Sequence, residues 1–167
     1  MPYLELPHPA ENEDHPNHKI KIMIFTEGTV LGPKNFLGYL NPASYIPIKN
    51  CLNLLKSWEE QGAEILYFTS RKKMNEILDI KKLLVEYSFP GEHLYYREKD
   101  QKYSDVVKQV VPDVLIEDDC RSIGGKWQMC ITYVKSEIKN KINSIVVKEF
   151  CGIDDLPQSI PDLLKYK

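Results

Sequence analysis

The sequence lacks the features that mark a membrane, secreted or nucleic-acid-binding protein. It has no apolar run that approaches the length of a membrane span, and its first residues lack the apolar stretch of a signal peptide. Neither positive nor negative charge dominates, because the sequence has 22 Lys and Arg and 24 Asp and Glu, for a formal net charge of -2. Bulk attraction to nucleic acid or to anionic lipid is therefore not expected. We expect a cytoplasmic protein that binds neither nucleic acid nor a membrane.

The chain also lacks paired cysteines. Its four cysteines are scattered without a C-x-x-C pair: Cys51, Cys120, Cys130 and Cys151. Scattered thiols of this kind are usually reduced, so no disulfide is expected. Cys120 follows two aspartates, but the role of a small apolar residue is the more frequent one for such a cysteine.

What remains is the composition of a folded globular protein. The 167 residues, with 43% hydrophobic and 28% charged side chains, suffice for one domain with a sizeable core. Residues 1–18 are rich in Pro, His, Glu and Asn without periodicity and predict a flexible leader, whereas 19–167 predict a single domain. His8, His15 and His18 lack the cysteine partners and regular spacing of a metal site, so we interpret them as part of a polar tail.

Strand and helix patterns alternate along the predicted domain. Short apolar, β-branched runs predict strands at 20–25, 64–69, 93–96, 114–116 and 144–150. Helical spacing of apolar residues predicts helices at 48–61, 73–87, 102–111 and 135–141. The segment 31–47 is punctuated by Gly and Pro and predicts a loop. Short links between strands and helices indicate an α/β fold with a doubly wound parallel sheet.

Polar residues collect where the predicted strands end. They follow the first, second and fourth strands at 26–29, 69–71 and 117–119, and Lys102 opens the helix before the fourth strand. In a parallel sheet these ends lie at the edge where ligands bind. Hydroxyl and N–H groups suit an anion, a cation neutralises it, and carboxylates suit Mg²⁺. The pattern therefore predicts one site that binds an anion and a metal.

Four segments carry a family resemblance. They are "FTEGT" at 25–29, "LYFTSR" at 66–71, Lys102, and "VLIEDD" at 114–119. Their order and spacing resemble the haloacid dehalogenase-type (HAD) phosphohydrolases. In that family a strand is followed by Asp-x-Asp-Gly-Thr, a second strand ends in Thr or Ser, a Lys precedes the next strand, and that strand ends in paired Asp. The resemblance covers about 19–119 and implies a three-layer, Rossmann-like HAD fold.

The resemblance also implies roles for individual residues. Glu27 takes the general acid/base position, where the family has Asp, and Thr69 and Lys102 complete the catalytic set. Asp118 and Asp119 hold Mg²⁺, with Glu117 as an outside candidate. The groups that bind a small phosphorylated substrate are Gly28, Thr29, Thr69, Ser70, Arg71 and Lys102. Arg71 has an equally good alternative as a surface residue at a helix start.

Phe25 departs from the family pattern. It stands at the position of the aspartate that is the family's nucleophile and a Mg²⁺ ligand, and phenylalanine serves neither purpose. Because side chains alternate along a strand, Phe25 and Glu27 are expected to face the site, and Thr26 to face away. The leading hypothesis is a degenerate phosphatase site that binds a phosphorylated ligand or Mg²⁺. The alternatives are a Mg²⁺-dependent phosphohydrolase using Glu27 and a metal-bound water, and a non-catalytic structural or interaction module.

Access to the site depends on the loop 30–47. In the HAD family an inserted cap selects the substrate, and this loop provides only a minimal cap, which suits either a homo-oligomer or a large substrate. Phe36, Tyr39 and Tyr45 could stack on a ligand or form an interface, but anchoring the loop is the more frequent role of such aromatics. The acid pair Asp154-Asp155, between Gly and Pro, predicts a turn and not a metal site.

Overall fold

A six-stranded sheet organises the part of the chain that this computed structural model describes, residues 2–7 and 18–167. The strands of the sheet run in the order β1-β6-β5-β2-β7-β8, and β1 alone is antiparallel to its neighbour. A separate pair of short strands, β3 and β4, lies outside it. The strand bounds are β1 Tyr3–Glu5, β2 Lys21–Phe25, β3 Leu31–Pro33, β4 Tyr45–Pro47, β5 Glu64–Phe68, β6 His93–Tyr95, β7 Val114–Asp118 and β8 Asn143–Val147.

The described residues contain three α-helices of two or more turns and two single-turn helices. Their bounds are α1 Cys51–Glu60, α2 Met74–Glu86, α3 Tyr103–Val110, α4 Ser136–Lys139 and α5 Ile160–Leu163. Helices α1 to α4 lie between strands, and α5 follows β8. Gly62, at φ +89°, follows the end of α1, where a left-handed residue stops the helix. Within the described residues, no helix combines the length and the apolar character that a bilayer crossing needs.

The sheet separates two apolar cores. In β2, Ile22 and Ile24 belong to one core, and Met23 and Phe25 belong to the other. The first core takes in buried residues of α1, α2 and α5, and the second takes in those of α3. Both faces of β2 are therefore covered, which explains why its sequence is continuously apolar.

The chain moves from β2 outward through β5 to β6, and then returns to the other side of β2 to form β7 and β8. The carboxyl ends of β2 and β7 thus flank the point at which the direction of winding reverses, where α/β sheets bind their ligands. The prediction of an α/β fold is confirmed, and the sheet, predicted to be parallel, is mostly parallel because β1 runs antiparallel to β6. The family-specific, doubly wound HAD arrangement stays a prediction.

The predicted strands and helices agree with the structure, with differences at their ends. β7 continues to Asp118 because Glu117 and Asp118 pair with residues of β8. The predicted loop 31–47 contains the paired strands β3 and β4, joined by two short 3₁₀ turns. All four cysteines carry free thiols.

The predicted leader contains a strand. Tyr3–Glu5 form β1, which pairs with β6, and Leu6 after it is buried in the first core. His8 and His15 lie outside the described residues. His18 Nε2 lies 3.6 Å from a carboxylate oxygen of Asp113.

Leu6→Ala should lower the free energy of unfolding by about 2–4 kcal/mol, because it empties a buried leucine site. Urea unfolding followed by circular dichroism measures the change. Leu37→Ala is the matched control, since Leu37 is 84% exposed and its truncation should change stability by less than about 0.5 kcal/mol. Equal effects of the two substitutions would contradict the packing of Leu6 in the core.

Candidate functional site

A pocket lies at the carboxyl ends of β2, β5 and β7. It has a volume of about 260 Å³ and combines carboxylate and aromatic walls. The lining residues include Phe25, Glu27, Gly28, Tyr39, Tyr45, Ser70, Arg71, Tyr103, Glu117, Asp118, Cys120, Ser122, Glu149 and Phe150. Residues that follow separate strands thus meet at one end of the sheet.

The carboxylate of Glu27 is held from several directions. Its Oε1 accepts hydrogen bonds from Thr69 Oγ1 at 2.7 Å and Arg71 Nε at 3.1 Å. The Ser70 hydroxyl and backbone N–H donate longer bonds of 3.4 Å, and the Thr26 hydroxyl donates to Oε2. Hydroxyl, N–H and guanidinium groups expected to hold a substrate phosphate therefore hold a carboxylate of the chain itself.

Phe25 closes the floor of the pocket with an aromatic cluster. Its ring stacks on Phe68 at 4.7 Å between centroids and meets the Tyr103 ring edge-on at 5.3 Å. Only 8% of Phe25 is exposed. Phe25 and Glu27 both line the pocket, as strand alternation predicted, whereas Thr26 is fully buried.

Gly28 brings the backbone close to Asp118. At φ +84°, it has a conformation that favours glycine, and a Cβ there would lie 2.6 Å from Asp118 Oδ2. The other oxygen, Oδ1, accepts the Cys120 N–H at 2.8 Å. Burial raises the pKa of Asp118, while the Cys120 N–H opposes this effect. Burial also raises the pKa of the Cys120 thiol to about 12, so this cysteine stays protonated at neutral pH.

Three carboxylates beside the pocket could hold a metal ion. One oxygen each of Asp118, Asp119 and Glu149 lies within 4.8 Å of the others. Asp119 Oδ1 accepts the Glu149 N–H at 3.2 Å, and the Glu149 carboxylate accepts the Ser122 N–H and hydroxyl at 2.8 Å and 2.7 Å. An all-oxygen donor set of this kind fits a hard cation such as Mg²⁺.

Sequence reasoning missed Glu149. The predicted strand 144–150 extends past Glu149, whereas β8 ends at Val147, so that Glu149 follows its strand as the other acidic residues follow theirs. Asp154 and Asp155, in contrast, lie in a turn in which the Leu156 N–H donates to the Ile153 carbonyl at 2.9 Å, as predicted.

Glu117 is a buried acid in the wall of the pocket. Its oxygens accept the backbone N–H groups of Cys130 at 2.6 Å and Ile131 at 3.0 Å. Burial raises the pKa of Glu117 to about 7, although both N–H groups favour the ionised form. Its side chain therefore ties β7 to the segment that precedes α4.

The structure does not bring Lys102 to the pocket. Its side chain is exposed, and its backbone N–H donates to Asp105 at the start of α3. The next residue, Tyr103, lines the pocket instead, and Arg97 lies 3.7 Å above the Tyr103 ring. An Arg97 nitrogen also donates to the Ser70 carbonyl at 3.1 Å. Arg97 is a cation near the site that sequence reasoning did not single out.

Other predicted residues reach the site indirectly or partly. Thr29 and Thr69 are fully buried and do not line the pocket, although Thr69 contacts Glu27. In the cap loop, Tyr45 donates to the Tyr39 carbonyl at 3.2 Å, and both rings line the pocket. Phe36 is 89% exposed, so the expected anchoring role does not fall on its ring.

The comparisons with known proteins concern the fold. No protein-family model matches the chain, and no curated protein matches it in sequence. A chain in the structure of the Pnkp1/Rnl/Hen1 RNA repair complex is similar, with a TM-score of 0.52 and 14% identity, over 81% of this chain and 45% of that one. The protein therefore spans less than half of the length of that neighbour.

A weaker likeness is to D,D-heptose 1,7-bisphosphate phosphatase from Burkholderia thailandensis. The TM-score is 0.44 and the identity 9%, over 80% of this chain and 94% of the phosphatase. At these identities the likeness to the repair-complex chain supports an α/β, Rossmann-like fold.

Glu27→Ala should create a binding site for inorganic phosphate. Removing the carboxylate leaves the Thr69 hydroxyl and the Arg71 guanidinium without their anion, and phosphate can restore both contacts. Isothermal titration should show phosphate binding about tenfold or more tightly to Glu27→Ala than to the wild type, a difference of about 1.4 kcal/mol.

The control for this substitution is Glu149→Ala, which removes a pocket carboxylate away from Thr69 and Arg71. It should leave phosphate binding at the wild-type level. Equal phosphate binding by the wild type and Glu27→Ala would show that Glu27 does not occupy an anion site.

Glu117 should make stability depend on pH. Because its pKa of about 7 exceeds that of an unfolded glutamate, about 4.5, the folded chain binds more protons between these values. The contribution of this proton binding to the free energy of unfolding is complete below the unfolded pKa of about 4.5 and is lost as the pH rises through about 7. Relative to Glu117→Gln, the wild type should lose about 1–3 kcal/mol from pH of about 5 to about 8.

Urea unfolding with EDTA present measures this difference. Glu60→Gln, which removes an exposed carboxylate on α1, should keep the wild-type pH dependence. A wild type and Glu117→Gln with parallel pH profiles would contradict the assignment.

Proposed function

We propose that the protein has a HAD-like fold with a degenerate phosphatase site, and that it binds a small ligand without forming an aspartyl phosphate. The observation that carries this proposal is the aromatic floor formed by Phe25, Phe68 and Tyr103. A strand end that is filled by a phenyl ring offers no carboxylate nucleophile and no anionic metal ligand. The end of β2, which carries Phe25, lies beside the polar ends of the neighbouring strands, and this arrangement supports the HAD-type assignment.

The contacts of Glu27 support the loss of chemistry. A general acid must present a proton to the leaving group, and Glu27 instead directs its oxygens to Thr69 and Arg71 at the end of β5. The ion pair is shielded, with 26% of the Arg71 and 9% of the Glu27 side chain exposed. These contacts favour a structural role for the carboxylate.

The remaining groups support ligand binding. Asp118, Asp119 and Glu149 would hold Mg²⁺, which supplies positive charge for the phosphate of a small phosphorylated ligand. Tyr39 and Tyr45 give the pocket an apolar wall on which a base or sugar ring can pack.

The second candidate is a Mg²⁺-dependent phosphohydrolase, favoured by the same three carboxylates. In that function Glu27 would act as the general base for attack by water. Turnover of phosphate esters separates the two candidates.

The test begins with the wild type and a panel of phosphate monoesters in Mg²⁺. We expect no turnover above that of Asp118→Asn. Mg²⁺-dependent turnover that disappears in Asp118→Asn would overturn the degenerate-site proposal and establish the second candidate.

Phe25→Asp then tests whether the rest of the site is of the phosphatase type. The new carboxylate would join Asp118 in the lining of the pocket and should strengthen Mg²⁺ binding about tenfold or more, as measured by isothermal titration. Phe25→Asn is the matched control, because it removes the same ring, at a similar cost of about 3–5 kcal/mol, without adding charge. Circular dichroism checks that both variants are folded. Equal Mg²⁺ binding by the two folded variants would contradict a metal–phosphate site at this strand end.

A further inference from the structure

A second cluster of side chains that could bind a metal lies at the amino ends of the strands, on the side of the sheet opposite to the pocket. Glu64 is the first residue of β5, His93 is the first residue of β6, and Glu92 precedes it. One ligand atom from each of these residues lies within 4.8 Å of the others. This cluster stands at the amino ends of the strands, whereas the pocket stands at their carboxyl ends.

The sheet geometry explains why these side chains meet. Glu64 lies on the same face of β5 as Leu66, and His93 pairs with Leu66 in the parallel ladder. Gly91, at φ +117°, lets the chain approach β5, since a Cβ there would lie 2.5 Å from the Ile65 carbonyl oxygen. The Glu92 N–H donates to that carbonyl at 3.3 Å. The close approach places a second carboxylate beside Glu64.

The two carboxylates repel each other. Burial raises the pKa of Glu64, and the charge of Glu92 raises it further. Lys21, His93 and Lys19 act in the opposite direction. Lys21 is the cross-strand partner of Glu64, and its positive charge favours the ionised carboxylate. A divalent ion between the two glutamates would relieve their repulsion.

His93 supplies the observation that points to a transition metal. Its ring meets Tyr3 edge-on at 4.5 Å between centroids, which fixes its orientation. Its Nδ1 is buried and has no hydrogen-bond partner among residues 2–7 and 18–167. A buried imidazole nitrogen without a partner is costly, and a metal ion bound through Nδ1 would satisfy its lone pair.

We propose that Glu64, Glu92 and His93 bind a divalent first-row transition metal of the Zn²⁺ class. One imidazole nitrogen and two carboxylate oxygens match the ligands of such ions, whereas Mg²⁺ prefers oxygen alone. A cavity of about 90 Å³, lined in part by Glu64 and Glu92, adjoins the site and leaves space for a water ligand. The ion ties the start of β5 to the start of β6.

The proposal is tested on the full chain after treatment with a chelator. Isothermal titration with Zn²⁺ should show one site per chain that His93→Gln weakens about tenfold or more, since even the loss of an outer-sphere partner weakens metal sites by about 10–100-fold. Visible absorption of Co²⁺ provides a second readout, because a nitrogen ligand changes the d–d bands. Wild-type bands that disappear in His93→Gln support the site.

The matched control is His18→Gln, which removes a histidine outside the cluster and should bind Zn²⁺ like the wild type. Asp118→Asn should also retain this binding, which separates the site from the carboxylates at the pocket. Glu92→Gln should weaken binding as His93→Gln does. Zn²⁺ should raise the melting temperature of the wild type more than that of His93→Gln. Zn²⁺ affinity that is unchanged in His93→Gln and Glu92→Gln, or a wild type that binds no Zn²⁺, would overturn the proposal.

Discussion

The ion pair between Glu27 and Arg71 is the interaction on which the arrangement at the strand ends depends. Glu27 follows β2 and Arg71 follows β5, so the pair joins neighbouring strands at the mouth of the pocket. A carboxylate this poorly exposed is costly unless donors surround it, and the Thr69 hydroxyl is one of them. Removing any partner would leave charge or polar atoms unsatisfied. At the end of β5, the positive charge of Arg71 and the Thr69 hydroxyl are thus already paired with Glu27, without any external anion.

The aromatic floor and the ion pair are two parts of one arrangement. Phe25 replaces a potential charge with a ring that needs apolar neighbours, and Phe68 and Tyr103 provide them. The Tyr103 ring also supports Arg97, whose guanidinium reaches the Ser70 carbonyl. The aromatic cluster and the Glu27–Arg71 ion pair therefore meet at the end of β5. What remains open to a ligand lies on the β7 side, among carboxylates and loop tyrosines.

The buried strands were predictable from the sequence because burial on both faces requires a continuous apolar run, as in Lys21–Phe25. Grouping the polar strand ends into one site also followed from topology, and Glu27 and Asp118 do line one pocket. The position of Lys102 did not follow, because spacing along the chain does not give the direction of a side chain at a helix start. Strand β1 was missed because Tyr3–Glu5 is too short to show a period, and its pairing with β6 is a tertiary contact.

Strand β1 determines which strand of the sheet is exposed at the β6 side. It is the single antiparallel strand of the sheet, and it covers the outer side of β6. Uncovered, β6 would present unpaired N–H and carbonyl groups to any extended segment nearby, which is how sheets join edge to edge. Residues that resemble a tail in the sequence thus form the outermost strand of the sheet, and their outer side is the edge in place of that of β6. A shortened chain without β1 would keep every residue of the pocket and would present β6 as the edge of its sheet.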